Sequence, residues 1–271
     1  MDPSVVIGLL ILGVVAGIVG SLFGVGGGIL FIPVLTIIYK LPAVEAAAIS
    51  LVGILALSAG AASFYTEHKV ANVRLGLFLE VGTTAGAIVG AFVAGMLEQW
   101  IIFLVFGIFV TVNGLRMLLD RGRDCGSEEG EHEFYYQDMK TGKTIGYDLE
   151  HRWGGSAICF LAGMYSSMTG VGGGVIKVPV MNRLMGVPMK AATATSSYMI
   201  GITAFCGAMV YFINGTIDLE FAACIAIGSY IGMLIGTRAS RYFDAASLKK
   251  YFALVLFASA ISILLKATGV L

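Results

Sequence analysis

Apolar stretches of about twenty residues, each long enough as a helix to cross a bilayer core about 30 Å thick, recur along both halves of this 271-residue chain. They fall near 5–23, 44–65, 75–97 and 100–119, and again near 153–168, 191–212, 219–240 and 248–268. Between the first and second member of each set lies a shorter apolar piece, 29–39 and 175–185, introduced by glycines. Only 13% of the residues are charged, against roughly 25% in an ordinary soluble domain, so a water-soluble enzyme is excluded. The charges that exist are clustered: fourteen of the 34 acidic and basic residues lie within 120–152. The chain therefore divides into a first transmembrane repeat (1–119), a polar insert (120–152) and a second transmembrane repeat (153–271). Within the insert, the alternating run from His132 to Tyr147 around Thr141-Gly142 reads as a small β-hairpin. Asp2 and the lack of a basic leader mark the first span as a retained helix rather than a cleaved signal.

The two halves are copies of one unit. Gly24-Val25-Gly26-Gly27-Gly28, four residues, then Pro33 recurs as Gly170-Val171-Gly172-Gly173-Gly174, four residues, then Pro179, an offset of 146. At the same offset Ser21 matches Ser167, Pro42 matches Pro188, Ser50 matches Ser196, Tyr65 matches Tyr211, and Gly82, Gly86 and Gly90 match Gly228, Gly232 and Gly236. Lysine and arginine decide how the copies are oriented, because positive charge accumulates in cytoplasmic loops. If each glycine segment were a kink in one long span, the basic residues would split nine against seven across the membrane. If the chain turns back at the glycines, fourteen of the seventeen share one side, only Lys40 and Lys266 face the other, and Lys177 is left within the membrane. An odd number of segments per copy makes the repeats inverted. The expected fold is an all-α polytopic membrane protein of two inverted repeats, each with four full spans plus a glycine-initiated short or re-entrant helix, eight to ten membrane segments in all. Both termini are then outside and the insert is cytoplasmic.

The glycine runs are not nucleotide loops: a dinucleotide fingerprint needs a sixth-position glycine where this chain has Ile29 and Val175. Thr141-Gly142-Lys143-Thr144 lacks the first glycine of a phosphate loop. Unwound backbone inside a membrane is tolerated only where it lines a cavity or is buried in protein, and a helix that restarts there presents unpaired amides and a positive dipole end. Two such starts meeting from opposite faces would hold a small anion, as broken-helix transporters do. Close helix packing is the other use of these glycines, and it suits Gly82, Gly86 and Gly90. Candidate substrate contacts are Gly24, Gly26, Gly27, Gly28, Gly170, Gly172, Gly173 and Gly174, the intramembrane cation Lys177, and the hydroxyls of Ser50, Thr195 and Ser196. Those hydroxyls could equally serve helix capping or helix-to-helix bonding, and Lys177 could snorkel to the interface. Glu80, two turns into its span, is a candidate proton relay or a helix-end carboxylate.

The four cysteines, Cys125, Cys159, Cys206 and Cys224, lack metal-ligand or disulfide spacing, and no cofactor or metal is expected. Zero net charge without a basic cluster argues against nucleic acid. No HExxH, nucleophile elbow or carboxylate pair lies in a span, so no catalytic residues are assigned.

The duplicated GVGGG-x4-P, followed in each half by a small-residue and hydroxyl segment (Ala48 to Ser50, Ala192 to Ser196), resembles the sulfite exporter TauE/SafE family of membrane transporters. The resemblance covers nearly the whole chain except the insert. It implies movement of small sulfur-containing anions, such as sulfite, thiosulfate or organosulfonates, across a cytoplasmic membrane, with alternating access at the repeat interface. Ile49 standing where the second half has Thr195 makes the site asymmetric. The long insert keeps a second reading open: a membrane scaffold or sensor whose cytoplasmic insert docks a partner.

Overall fold

The computed structural model describes residues 2–119 and 131–240. The first half contains α1 (Pro3–Phe23), α2 (Gly28–Ile37), α3 (Ala43–Glu67), α4 (Val73–Ala94) and α5 (Gln99–Leu119). The insert forms β1 (Phe134–Gln137) and β2 (Thr144–Tyr147), and the second half α6 (Arg152–Thr169), α7 (Gly174–Pro179), α8 (Met189–Ile213) and α9 (Leu219–Ala239). The expected span at 248–268 and Cys125 lie outside the described residues.

Local chemistry sets the helix ends, and it does so at equivalent places in the two halves. Pro42 and Pro188 immediately precede α3 and α8. Asn72 caps α4 by accepting from the Leu75 amide, and Asp218, 146 residues on, caps α9 by accepting from the Glu220 and Phe221 amides. Gly24 and Gly170 close α1 and α6 in the left-handed conformation, with φ of 67° and 69°. One element differs from expectation. The second short piece is helical only to Pro179 and then widens into a π-helical turn, Val180–Leu184. Proline removes an i→i−4 bond and crowds the preceding turn, yet Pro33 sits inside α2 without such a widening. Proline therefore permits the π turn and does not dictate it.

The chain doubles back at each glycine run. Gly27 lies against the Ala16 carbonyl, and a Cβ at Gly8 would collide with the Tyr39 hydroxyl, so α2 returns alongside α1. In the same way Gly173 lies against Ala162, and Met185 reaches Gly155 near the start of α6. The first helix of each half packs on the fourth of the other, α1 on α9 and α6 on α4, while α3 and α8 pack on each other at the centre. Reciprocal contacts of this kind are the signature of a two-fold relation. Glycines make the outer pairs close: a Cβ at Gly86 would meet the Phe160 carbonyl of α6, and one at its counterpart Gly232 the Val14 carbonyl of α1.

Five of the helices, α1, α3, α4, α8 and α9, are long and apolar enough to cross a membrane. Val81 and Phe92 on α4 and Ile227 and Ile235 on α9 are exposed. A continuous apolar exterior of that sort would be a liability in water and is the natural surface in lipid. Polar side chains such as Ser50, Thr83, Thr195 and Thr203 are buried between the helices.

The antiparallel hairpin of the insert pairs Phe134 with Tyr147 and Gln137 with Thr144. It sits in a groove at one end of the helices. The Gln137 amide donates to the Lys69 carbonyl at 3.1 Å, Asn72 Nδ2 donates to the Tyr147 hydroxyl at 2.8 Å, and Lys190 Nζ donates to Asp138 Oδ1 at 2.7 Å. The hairpin thus ties the α3–α4 loop of the first half to the start of α8 in the second. The two-fold counterpart of this groove is an open cleft of about 440 Å³ lined by Pro42, Val44, Glu45, Gly215, Thr216, Ile217 and Asp218. Partial burial would raise the Asp138 carboxyl, but Lys190, the Lys140 amide and the Thr141 hydroxyl outweigh it and hold it below the ordinary aspartate range. A depressed carboxyl contributes docking stability above its unfolded pKa and loses it as pH falls through the lowered one. Hydrogen exchange at the Gln137 amide, corrected for its intrinsic rate, is therefore expected to stay slow above the ordinary aspartate range and to accelerate progressively as pH falls from there towards the lowered value. In D138N it is expected to be fast at every pH. Exchange that stays independent of pH across and below the ordinary aspartate range would rule out Lys190 as the anchor.

Candidate functional site

Each residue of the glycine run has a distinct job. Gly24, Gly26 and Gly27 take φ of 67°, 90° and 74°, and Gly170, Gly172 and Gly173 take 69°, 92° and 68°. A side chain there would be strained, so three of the five positions require glycine. The second position tolerates a side chain, and Val25 and Val171 are buried there. The fifth is glycine for space: a Cβ at Gly28 would strike the Gly170 carbonyl, and one at Gly174 the Gly24 carbonyl. The two turns are thus in direct backbone contact, tip against tip. The Leu30 and Phe31 amides both donate to the Gly27 carbonyl, and those of Ile176 and Lys177 to Gly173. The amides of Gly28, Ile29, Gly174 and Val175 therefore precede the first intrahelical bond of α2 and α7.

Two serines brace this contact across the halves. Ser50 Oγ donates to the Gly170 carbonyl at 2.6 Å and Ser196 Oγ donates to the Gly24 carbonyl at 2.8 Å. Further out, Tyr65 donates to the Ser21 carbonyl and Tyr211 to the Ser167 carbonyl, each at 2.9 Å. The pairs that matched at the 146-residue offset therefore hold matching bonds. Thr195 lies apart from the tips: its Oγ1 accepts from the Asn72 amide at 2.9 Å, next to the docked hairpin.

Lys177 is fully buried rather than snorkelling to an interface, and its side chain is paired. Its Nζ lies 3.3 Å from Glu80 Oε2 and donates to Thr203 Oγ1 at 2.7 Å. Thr203 in turn donates to Glu80 Oε1 at 2.5 Å, and Thr84 adds a longer bond to the same oxygen. A cation, a carboxylate and a hydroxyl form a closed triangle whose members come from α7, α4 and α8. The candidate relay and the candidate substrate cation are thus one site. Burying such a pair is costly unless geometry and further hydrogen bonds offset the lost hydration.

Thr203 and Ser166 are polar members of this region that the sequence reading passed over. The Ser166 hydroxyl is buried beside Gly173 without a hydrogen-bond partner. The offset of 146 could have found both, because Gly20 and Leu57 stand at the equivalent places of the first half. Lys177, Thr195, Thr203 and Ser166 replace Phe31, Ile49, Leu57 and Gly20, and Glu80 corresponds to Ala226. The polar residues stand on one side of an otherwise symmetric frame. Among the described residues no group of His, Cys, Asp and Glu forms a metal cluster, and Cys159, Cys206 and Cys224 are free thiols.

Comparison with known proteins places the chain among membrane transporters. The chain is 28% identical over 257 residues to the probable membrane transporter protein YunE of Bacillus subtilis, covering 92% of this chain and 93% of that one. It is 26% identical to the probable membrane transporter protein MJ0441 of Methanocaldococcus jannaschii, over 77% of this chain and 73% of that protein. It is 25% identical to the probable membrane transporter protein MamO of Magnetospirillum gryphiswaldense, of whose length it spans 45%. No solved structure matches it. The family model for the sulfite exporter TauE/SafE matches residues 9–263. With its duplicated glycine turns and apolar spans inside that match, the chain belongs to the sulfite exporter TauE/SafE family of multi-pass membrane transporters and is not an enzyme.

Proposed function

We propose that this transporter moves small sulfur-containing oxyanions (sulfite, thiosulfate or an organosulfonate) by alternating access at the interface between two inverted repeats. The observation that carries the reading is the tip-to-tip meeting of the glycine turns at the start of a short helix that carries the buried cation Lys177, whose counterpart in the first repeat is Phe31. The two helix hairpins touch at their glycines, whereas their shafts α1 and α6 pack on α9 and α4. That pattern supports hairpins inserted from opposite faces, as in transporters built from inverted repeats. On this reading each half has four full spans and one re-entrant helix, both termini are outside, and the insert is cytoplasmic. Lys177, the first-turn amides at Gly28 and Gly174, and the remaining glycines of both turns (Gly24, Gly26, Gly27, Gly170, Gly172 and Gly173) form the anion's surroundings. Ser50 and Ser196 fix the backbone around them, Thr195 holds the neighbouring α3–α4 loop through the Asn72 amide, and Glu80 carries the coupled proton. The substrate class agrees with the family's name, and small oxyanions match a site that offers one cation and backbone donors.

The test is a panel of sulfite, thiosulfate, methanesulfonate and sulfate, measured as thermal stabilisation of the detergent-purified protein and as flux in proteoliposomes. Stabilisation and flux with at least one of the sulfur oxyanions other than sulfate are expected. Neither signal with any of them would remove sulfur oxyanions as substrates.

A further inference from the structure

The charge count at Lys177 goes further than the substrate class, although it rests on the oxyanion reading above. The triangle of Lys177, Glu80 and Thr203 is enclosed, with Lys177 and Thr203 at 0% and Glu80 at 4% exposure. As one ammonium and one carboxylate it is neutral. A singly charged anion joining it would leave one uncompensated negative charge in the membrane interior, and a doubly charged anion would leave two. Buried net charge is what the bilayer interior tolerates least. One proton delivered to Glu80 restores neutrality for a monoanion and fails to do so for a dianion.

We propose that a singly charged sulfur oxyanion replaces Glu80 on the Lys177 ammonium while Glu80 takes up one proton, so that one proton accompanies each monoanion through the protein. The balance is simple. The ion pair of Lys177 and Glu80, plus the anion, plus a proton from water on the open face, becomes an ion pair of Lys177 with the anion and a neutral Glu80. No covalent bond other than the new O–H of Glu80 forms or breaks. Thr203 is placed to follow the exchange. Its hydroxyl now accepts from Lys177 and donates to Glu80. Once Glu80 carries a proton it can donate to Thr203, and the threonine hydroxyl is released to donate to the anion.

Three observations support the exchange. Glu80 belongs to the first repeat and Lys177 with Thr203 to the second, so relative motion of the repeats acts on this pair. The frame does not need the pair, because the two-fold equivalent positions hold Phe31, Leu57 and Ala226 and the first two are fully buried. The other titratable groups facing Glu80 among the described residues are thiols and a phenol: Cys159 on α6, Cys206 on α8, and Tyr198 on α8 a turn away at Gly76. No second carboxylate or histidine among them competes for the proton.

The experiment uses the full chain in proteoliposomes that enclose a pH-sensitive dye, with the same pH on both sides and an imposed gradient of methanesulfonate, a monoanion, or thiosulfate, a dianion. Methanesulfonate is expected to carry protons in its own direction, one per anion by paired flux measurement, and to move at least tenfold faster than thiosulfate. E80Q, fixed in the neutral form, is expected to lose the proton signal entirely and the pH dependence of anion flux. Because a single change in a buried pair can unfold the protein, the apolar replica K177F/E80A/T203L serves as a second variant and is expected to move neither anion nor proton. Methanesulfonate flux without protons, equal rates for both anions, or a proton signal surviving in E80Q would each overturn the exchange while leaving the substrate class standing. Failure of sulfite, methanesulfonate and thiosulfate alike to cross would overturn the substrate class and the exchange together.

Discussion

K177M is expected to lower the stability of the detergent-purified protein by about 3–5 kcal/mol, because it strands a buried carboxylate that no other cation among the described residues reaches. Lys177 is the one cationic partner of Glu80 among the described residues, at 3.3 Å, and both side chains are enclosed. Thr203 and Thr84 supply hydrogen bonds to Glu80, but neither supplies charge. The variant therefore has to protonate Glu80 or hydrate it, and either costs stability. Replacing all three members together should behave in the opposite way. K177F/E80A/T203L copies the residues that fill the equivalent position in the first half, Phe31, Ala226 and Leu57. Apolar replacements of buried ion pairs are often neutral or stabilising, by about 1–4 kcal/mol. This triple variant is expected to unfold at or above the wild-type temperature and to have no transport. The comparison separates a site kept for function from one kept for folding. A K177M protein that melts with wild type would mean that Glu80 is not a buried anion, and a triple variant that fails to fold would make the triangle structural.

G28A and G174A are expected to disable transport and to destabilise the protein, although a methyl group is the smallest side chain that can be added. Neither glycine is held in the left-handed region, so backbone strain is not the cause. The added Cβ would fall on a carbonyl oxygen of the opposite turn, Gly170 for Gly28 and Gly24 for Gly174. Those carbonyls are also the ones that accept the Ser50 and Ser196 hydroxyls. The turns must separate to make room, and the braces lengthen with them. Overpacking a close contact costs about 1–3 kcal/mol, and here it moves the centre of the proposed site. G95A is the control, since its nearest neighbour is the Phe92 carbonyl at 3.5 Å, an ordinary contact. Thermal unfolding and proteoliposome flux, measured side by side, check the expectation. Wild-type flux in both G28A and G174A would mean that close approach of the two turns is not needed for transport.

The glycine motif was the most legible part of the chain, and for a local reason. Closely spaced residues with positive φ strongly favour glycine, so the preference is written at the positions themselves. The identity of Gly28 and Gly174 was visible in the same way, but its cause was not. Those residues are glycine because another turn, 142 residues away for Gly28 and 150 for Gly174, lies against them. Ser50 and Ser196 show the same limit. Their matching positions marked them as important, while the choice between binding a substrate and bracing a backbone depends on what faces each hydroxyl. The structure gives them carbonyl partners 120 and 172 residues away. Thr203 left no mark that the reading used, because a threonine in an apolar helix is unremarkable until its counterpart, Leu57, is set beside it.

By itself the sequence determined that the chain lives in a membrane, that it is a duplicated unit split by a polar insert, and where the backbone must turn. Hydropathy over twenty residues, an exact spacing and a glycine conformation are all properties of consecutive residues, so they survive without a fold. Only the tertiary structure decided that Lys177 and Glu80, 97 residues apart, are one site, and that the insert closes one groove while the two-fold equivalent stays open. Which helix faces meet is set by packing across the whole molecule. A buried charge has its meaning fixed by the partner it finds there.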